Sequence, residues 1–282
     1  MEIKSYNCYN ADIKIEINPK ELIKKIFDRT ESILKYLEEF KPNLTKDYLT
    51  ALKKRLSGAL NDFTANSDLF DLKSIGKDLD YLNKFQGLQE LIIQFVWKHL
   101  ALPTNNEPKL ENVEVTSLNR AKADERMSYH QVKAFVDILG KDEGVQLYTR
   151  ILGRIVREMT SKRKSNLDPS IVKSREGAIK WWCKEGIADF TVAFDDDYKT
   201  LFRFDKCVTH EALKDLNDPD IAYICSCYIG DIEEWNVGKI IHLRRTQTLH
   251  HGDFCDELYW DARVHKDPEQ PSLEFTRKLG RE

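Results

Sequence analysis

Reactive side chains are concentrated between residues 207 and 256. This stretch holds four of the six cysteines and four of the seven histidines of the chain, with carboxylates that could transfer protons among them. The residues concerned are Cys207, Cys225, Cys227, Cys255, His210, His242, His250, His251, Glu211, Asp231, Asp253 and Asp256. Thiols beside carboxylates could act as nucleophile and base. Free cysteines are also among the most frequently buried residues, so packing in a core is the alternative explanation.

Strands must position most of these side chains. The segments GIADFTVAF at 186–194 and YKTLFRFDKC at 198–207 predict two neighbouring strands joined by an acidic turn. The segment at 239–263 predicts a β-hairpin, with KIIHLRRTQTL and FCDELYWDAR as its strands and HHGD as its polar turn. Cysteines and histidines therefore lie at the ends of predicted strands.

A helix between these strands carries a second group of reactive residues. An Asp-Pro pair predicts its start, because aspartate caps helices and proline suits the first helical position. We expect the helix to cover residues 218–235. Successive residues turn by about 100°, so Cys225 and Cys227 should point in different directions. Cys227 and Asp231 are four residues apart and should share one face.

The composition excludes several classes of protein. With 282 residues and a formal net charge of −3, the chain has room for a large core but no strong field for nucleic acid or an acidic membrane surface. No apolar run approaches the roughly 18 residues that span a bilayer, and the N-terminus MEIKSYNCYN lacks the apolar core of a signal peptide. We therefore expect a cytoplasmic protein with reduced thiols that binds neither nucleic acid nor membrane.

The N-terminal part of the chain predicts a helical array. Apolar residues recur at three- and four-residue steps over residues 19–102, whereas residues 1–18 alternate weakly, as an edge strand does. The polar segment 104–118 lacks a period and predicts a boundary between a helical domain, residues 1–116, and an α+β domain, residues 117–282. The helical domain holds no chemical motif. We expect a structural role for it, with homo-oligomer contacts through its helices.

The ordered motifs of the second domain resemble the L-2-amino-thiazoline-4-carboxylic acid hydrolase family. The segment FRFDKCVTHEALKDLNDPDIAYICSCYIGDIEEWN and the later IIHLRRTQTLHHGDFCD carry the resemblance, and LGKDEGVQLYTRILGRIV looks like the family's leading helix. The matching positions are Cys207, Glu211, Cys227, Asp231, Arg245, Thr246, Thr248, Leu249, Gly252, Asp253, Cys255 and Asp256. The resemblance covers about residues 120–265. It implies an α+β fold with helices packed on a small antiparallel sheet, like the 4-vinyl reductase ligand-binding domains.

The resemblance implies hydrolysis of a small cyclic amidine or related heterocycle of the 2-amino-thiazoline-carboxylate type. Water ends on the amidine carbon, and a ring C–S bond breaks. Either Cys227 or Cys255 would be the nucleophile, and either Asp231 or Asp256 would be the base. His251 would be a proton shuttle. The small-molecule substrate would be the main partner of the protein.

The same motif implies which residues bind the substrate. Arg245 would hold a substrate carboxylate through a bidentate contact, because its planar fork matches that group. The other substrate-binding positions are Cys207, Glu211, Thr246 and Thr248. No cofactor is implied, and the sequence contains neither a glycine-rich phosphate loop nor a Ser-His-Asp order.

The chain departs from the family's pattern at three places. Three residues rather than two separate Cys227 from Asp231, and one residue rather than two separates the Gly-Asp turn from Cys255. Glu257 stands where an aromatic residue is usual. A one-residue shift on a strand turns every side chain to the opposite face, so the direction of Cys255 stays open.

Two other classes of function compete with hydrolysis. The first is metal binding, because cysteine and histidine are the soft ligands that zinc prefers, although their spacing here matches no standard zinc module. The candidate ligands are Cys207, His210, Cys225, Cys227, His251 and Cys255. The second is a non-catalytic small-molecule sensor, like the 4-vinyl reductase domains, with the helical array transmitting the signal. The helical array shows no basic face that would read DNA, which disfavours the sensor.

Overall fold

The computed structural model describes residues 1–61, 63, 75–76, 78–103, 112–161, 171–232, 235 and 240–281. Contacts divide the chain into a unit of Met1–Ile13 with Val156–Glu282 and a unit of Lys14–Ile155. The boundary predicted after residue 116 marks the end of a domain that would fold independently. It stays a prediction. Most of the basic run SKRKS at 161–165, which we expect to be a solvated helix end, lies outside the described residues.

The unit Lys14–Ile155 is mainly helical, as predicted. Its helices are α1 (Pro19–Phe40), α2 (Thr45–Leu60), α3 (Gln86–Leu100), α4 (Ser117–Leu139) and α5 (Lys141–Ser161), of which α5 ends beyond Ile155. The start of α1 follows from its sequence, because the Asn18 side chain accepts from two backbone N–H groups and Pro19 occupies the first helical position. The rings of Tyr48 and Phe135 pack 4.3 Å apart in the core between α2 and α4.

A two-stranded antiparallel ribbon also belongs to this unit. Strand β2 (Lys14–Ile17) confirms the predicted edge strand, and it pairs with β3 (Val113–Thr116). Ile15 lies opposite Val115, and both side chains are buried. The end of the segment 104–118, interpreted from the sequence as a domain boundary, forms β3, a strand that its pattern did not predict. Two valines make too short an alternation to stand out before their partner strand is known.

The other unit confirms the predicted α+β class. Its antiparallel sheet has the strand order β1-β4-β5-β7-β6 among the described residues. The strands are β1 (Glu2–Asn7), β4 (Ala188–Asp196), β5 (Lys199–Cys207), β6 (Ile241–Arg244) and β7 (Cys255–Asp261). The helices are α6 (Ile171–Lys184), α7 (Val208–Leu213), α8 (Pro219–Ser226) and α9 (Leu273–Lys278). In the described part of the chain, no helix is both long and apolar enough to span a membrane.

The two faces of this sheet carry different side chains. Directly opposed residues of antiparallel strands point to the same side, and neighbours along a strand point to opposite sides. Cys255 lies opposite Phe204, which packs against Trp182 of α6, and we call this side the α6 face. Asp256 lies opposite Arg203, which contacts the end of α9, and we call that side the α9 face. Cys255 and Asp256, proposed from the sequence as nucleophile and base, therefore point away from each other.

The predicted hairpin forms, but its strands are shorter than expected. β6 ends at Arg244 and β7 begins at Cys255, so a ten-residue connection replaces the predicted four-residue turn. The Asp256 carboxylate accepts the backbone N–H groups of Thr246 at 2.8 Å and Gln247 at 2.7 Å. The Asp256 side chain thus accepts hydrogen bonds from two backbone N–H groups that, in a longer β6, would bond to the neighbouring strand.

The helix predicted for residues 218–235 ends early. α8 covers Pro219–Ser226, and a 3-10 turn, Tyr228–Asp231, follows it. Gly230 in this turn lies against the side chain of Arg245, and a Cβ atom at this position would lie 2.8 Å from Nη2 of the guanidinium. The turn thus brings a glycine backbone against a guanidinium that is distant in sequence.

Cys8 and Cys183 form a disulfide, so the expectation of reduced thiols is wrong for this pair. They are 175 residues apart, and no local pattern links them. The antiparallel pairing of β1 with β4 brings the residues after Asn7 to the C-terminal end of α6, where Asn10 donates to the Gly186 carbonyl at 3.0 Å. Disulfides are most common in oxidising compartments, and the cytoplasmic location stays a prediction.

Candidate functional site

Arg245 is the centre of the candidate site. It follows β6, is nearly buried, and lies 3.1 Å from Asp231 Oδ1 and 3.2 Å from Glu257 Oε1. Its Nη1 also reaches the carbonyl oxygen of Cys227 at 3.4 Å. Burial alone would lower the pKa of Arg245, but the two carboxylates more than offset that effect and raise it. The guanidinium is thus a fixed cation between two anions.

Cys227 and Asp231 both reach this centre, although they do not share a helical face. Cys227 is the C-cap of α8, and its N–H donates to the Tyr223 carbonyl, whereas Asp231 ends the 3-10 turn. The helix-based reason for pairing them is wrong, because the helix stops between them. Arg245 bridges the two residues instead, through the Cys227 carbonyl and the Asp231 carboxylate.

The Asp231 carboxylate also accepts a hydrogen bond from the phenol of Tyr223. Burial raises the pKa of Asp231 above its ordinary value, against the opposing effects of Arg245 and of that hydrogen bond. Burial, with the neighbouring carboxylate, likewise raises the pKa of Tyr223. A carboxyl group with a raised pKa beside a cation and a hydroxyl is suited to holding and releasing a proton.

Glu257 is a site residue that the sequence did not suggest as one. It contacts Arg245 from β7 and accepts a hydrogen bond from the Tyr259 hydroxyl at 2.8 Å. The family's pattern implies an aromatic residue here, so the carboxylate gives this chain a second anion next to the arginine. Arg245 can bind a substrate carboxylate only in competition with two protein carboxylates.

Three thiols influence one another electrostatically near this centre. Burial raises the pKa of Cys227 to about 12, with Cys207 adding to the effect and Arg245 opposing it. Burial raises the pKa of Cys255 further, and its Sγ accepts the backbone N–H of Leu249 at 3.1 Å. The thiols of Cys227 and Cys255 are therefore protonated at neutral pH. A nucleophile drawn from them must lose its proton during the reaction.

Asp256 is the most completely bonded carboxylate among the predicted site residues. It is fully buried, and besides the two backbone donors it accepts Thr246 Oγ1 at 2.5 Å and Gln270 Nε2 at 2.8 Å. Four donors fill the roughly four lone-pair positions of a carboxylate, so a water molecule would have to displace one of them. This geometry favours a role in holding the connection after β6, with Thr246 as its partner.

The remaining predicted residues lie in other surroundings. His251 Nε2 lies 2.9 Å from the exposed carboxylate of Asp220, and its Nδ1 lies 3.4 Å from the Thr248 hydroxyl. Glu211 forms an ion pair with Lys214 at 2.7 Å. Neither His251 nor Glu211 has a contact with Arg245 among those described above. The His251 ring packs against the ring of Tyr223, whose hydroxyl binds Asp231, with 5.9 Å between the ring centroids. The roles of His251 as shuttle and of Glu211 as substrate ligand stay predictions from the family motif.

A pair of imidazoles lies next to α8. Nδ1 of His210 is 3.4 Å from Nδ1 of His250, and Nε2 of His250 is 3.2 Å from Oγ of Ser226. Burial lowers the pKa of both histidines, to about 4 for His250, so both are neutral at pH 7. Among the residues that the structure describes, no group of three or more His, Cys, Asp or Glu side chains is arranged to hold a metal ion.

A surface cleft of about 630 Å³ lies elsewhere in the same unit. Its walls include Tyr6 of β1, Glu176 of α6 and Phe194 of β4. None of the predicted site residues lines it. The cleft therefore gives no independent indication of where a substrate binds.

Fold and site together define an α+β protein with an arginine, two carboxylates and three thiols near one face of its sheet. Residues 120–259 match the model of the family described as L-2-amino-thiazoline-4-carboxylic acid hydrolase. Over these residues the chain belongs to that family, as the sequence motifs indicate, and the match includes Arg245 and its partners. No curated protein and no solved structure matches the chain.

Proposed function

We propose that the protein hydrolyses a small cyclic amidine or related heterocycle of the 2-amino-thiazoline-carboxylate type. The family points to a hydrolase. The observation that carries the finer proposal is the convergence of Cys227 and Asp231 on Arg245. A nucleophile and a proton carrier must share one pocket for this reaction. Arg245 contacts the Cys227 carbonyl and the Asp231 carboxylate, and its charge also acts on the Cys227 thiol.

In the proposed reaction, the Cys227 sulfur forms a bond to the amidine carbon and the ring C–S bond breaks. The released ring sulfur takes the proton that the nucleophile has lost. Water then attacks the same carbon, forming the C–O bond as the bond to Cys227 breaks. Asp231 takes a proton from that water and returns it to the cysteine, a task for which its raised pKa is suited.

The test is turnover of 2-amino-thiazoline-4-carboxylate and close analogues. Asp231→Asn keeps the shape and removes the base, so we expect a loss of about a hundredfold or more in rate. Cys227→Ser should cost as much if the thiol is the nucleophile. Asp253→Asn is the matched control, because this carboxylate is exposed in the connection after β6 and pairs with Arg277 instead of Arg245, and its turnover should stay at the wild-type level.

Two outcomes would contradict the proposal in different ways. Full turnover in Asp231→Asn and Cys227→Ser would remove both residues from the mechanism and leave Cys255 as the thiol to test. Absence of turnover with tight binding of one analogue would favour the non-catalytic sensor. The protonated state of the buried thiols is the observation that favours this second function.

A further inference from the structure

Four polar side chains form a continuous line that ends at the Cys227 thiol. It begins at His210 on α7, passes through His250 in the connection after β6, and continues through Ser226, the last residue of α8. The nitrogen–nitrogen distance is 3.4 Å, the nitrogen–oxygen distance is 3.2 Å, and Ser226 Oγ lies 3.5 Å from Cys227 Sγ. The line connects a partly buried thiol to a partly exposed imidazole.

Each member of this line can pass a proton to the next. A neutral imidazole donates at one ring nitrogen and accepts at the other, and a hydroxyl both donates and accepts. His210 and His250 face each other through Nδ1, so one must donate while the other accepts. The Ser226 hydroxyl donates to the Ala222 carbonyl oxygen at 2.6 Å, so it must turn towards Nε2 of His250, 3.2 Å away, before a proton can move along the line.

We propose that Ser226, His250 and His210 form a relay that takes the proton from Cys227 when this thiol acts as a nucleophile. The inference rests on the proposed function and extends it. It makes His250 a positioning residue that acts on the thiol through Ser226. His210 becomes the group that holds the proton until it is returned to the released ring sulfur.

One proton crosses the line, and every atom stays balanced. Cys227 gives its proton to Ser226 Oγ as Ser226 gives its own to Nε2 of His250. The Nδ1 proton of His250 then passes to Nδ1 of His210. The result is a thiolate at Cys227 and an imidazolium at His210. Ser226 now donates to the thiolate, and its geometry allows this hydrogen bond.

Several charged or titratable groups act on the ends of this line. Glu211 raises and Lys214 lowers the pKa of His210, and His251 adds to the lowering of the pKa of His250. At the thiol, Arg245 favours the thiolate, whereas Cys207 and Glu257 oppose it. Because both histidines are neutral at pH 7, the relay forms an imidazolium only together with the thiolate, and the fraction of this ion pair does not depend on pH between the pKa of His210 and that of Cys227. A second, lower-pH step in the reactivity of Cys227 is its expected signature.

The experiment is alkylation of the full chain by iodoacetamide from pH 5 to pH 11, with the rate at each cysteine measured by peptide mass spectrometry. In the wild type, we expect Cys227 to show a shoulder near neutral pH below its main ionisation. His250→Gln and His210→Gln should remove the shoulder and lower the rate at pH 7 about tenfold, which is one pH unit of thiolate population. Ser226→Thr, which keeps the hydroxyl, should retain it.

Two controls isolate the relay. Cys225 provides an internal one, because its Sγ donates to the Ala222 carbonyl and its rate should not change. His265→Gln is a matched variant, because this histidine pairs with Asp196 away from the line. Circular dichroism must show that each variant is folded. If one histidine variant fails to fold, the pH profile of the other variant tests the relay.

Equal Cys227 profiles in the wild type and in the folded histidine variants, including no reaction in either, would overturn the relay. This outcome is distinguishable from failure of the proposed function. Turnover without the shoulder keeps the hydrolase and rejects the relay. A shoulder without turnover of any analogue keeps the relay and rejects the substrate class.

Discussion

The two faces of the sheet both hold buried charges but use them differently. On the α9 face, Arg203 donates to backbone carbonyls at the end of α9, and Asp256 accepts backbone N–H groups after β6. On the α6 face, Arg245, Asp231 and Glu257 bind one another and the hydroxyls of neighbouring tyrosines. The Asp256 carboxylate is thus held partly by backbone N–H groups, whereas the Asp231 and Glu257 carboxylates are held by side chains.

This difference separates structural charge from charge that can do chemistry. A carboxylate that accepts backbone N–H groups cannot release them without distorting the chain, so its partners are fixed. Side-chain partners can rotate and can exchange a protein group for a ligand group. Asp256 and Asp231 are both motif residues, yet they differ in this respect, and burial raises the pKa of Asp231.

The largest effect should come from Asp256→Ala on the α9 face. The substitution leaves two buried backbone N–H groups without an acceptor, each costing about 1–3 kcal/mol. We therefore expect the free energy of unfolding to fall by roughly 2–6 kcal/mol, measured by urea denaturation. Asp253→Ala, on the exposed part of the same connection, is the control and should lose far less. Equal losses in the two variants would contradict a structural role for Asp256.

A smaller effect is expected from Glu257→Gln on the α6 face. Removing one of the two anions beside Arg245 should free part of the guanidinium for a ligand carboxylate. We expect the Kd of 2-amino-thiazoline-4-carboxylate to fall about tenfold, which is about 1.4 kcal/mol. The corresponding carboxamide should bind with unchanged affinity.

Calorimetric titration of both ligands measures the difference between them. Glu274→Gln provides a matched control, because this glutamate pairs with Lys278 on α9 and is exposed. A gain for the carboxamide as large as that for the carboxylate would mean that Glu257 does not act on the ligand's charge. No gain for either ligand would remove Arg245 from the carboxylate subsite.

The alternation of side chains along a strand can be read from the sequence. It shows that Cys255 and Asp256 point in opposite directions. The alternation of β7 alone places them on different faces, even though the motif lists them as a pair. The direction of Cys255 relative to the site was not available. It depends on which residue of β5 it opposes, and that register is set by pairing distant in sequence.

The contacts of Arg245 could not be read from the sequence for a related reason. A two-residue turn fixes the register of a hairpin, but the ten residues between β6 and β7 leave it free. The register that forms brings Glu257 to Arg245. The 3-10 turn after α8 could not be read from the sequence either. Apolar periodicity carries no information about a guanidinium that lies against Gly230.

The smallest effect concerns how stability depends on pH. The folded-state pKa of Asp231 is raised above its unfolded value, so between these two values the folded protein binds more protons than the unfolded chain. The contribution of Asp231 to stability is therefore greatest at low pH, and it falls as the pH rises through the folded pKa. The difference in unfolding free energy between the wild type and Asp231→Asn should follow the same course. Its slope cannot exceed about 1.4 kcal/mol per pH unit, the limit for one proton.

Asp195 provides a control of opposite sign in the same unit. A hydrogen bond from Lys199 lowers the pKa of Asp195, so its contribution is present above the unfolded pKa and is lost as the pH falls through the folded pKa. Urea denaturation of both Asp→Asn variants between pH 3 and pH 8 should give slopes of opposite direction. Parallel slopes would mean that Asp231 is held as an ordinary ion pair. The distinction between exchangeable charge on the α6 face and fixed charge on the α9 face would then lose its support at the carboxylate that matters most to the mechanism.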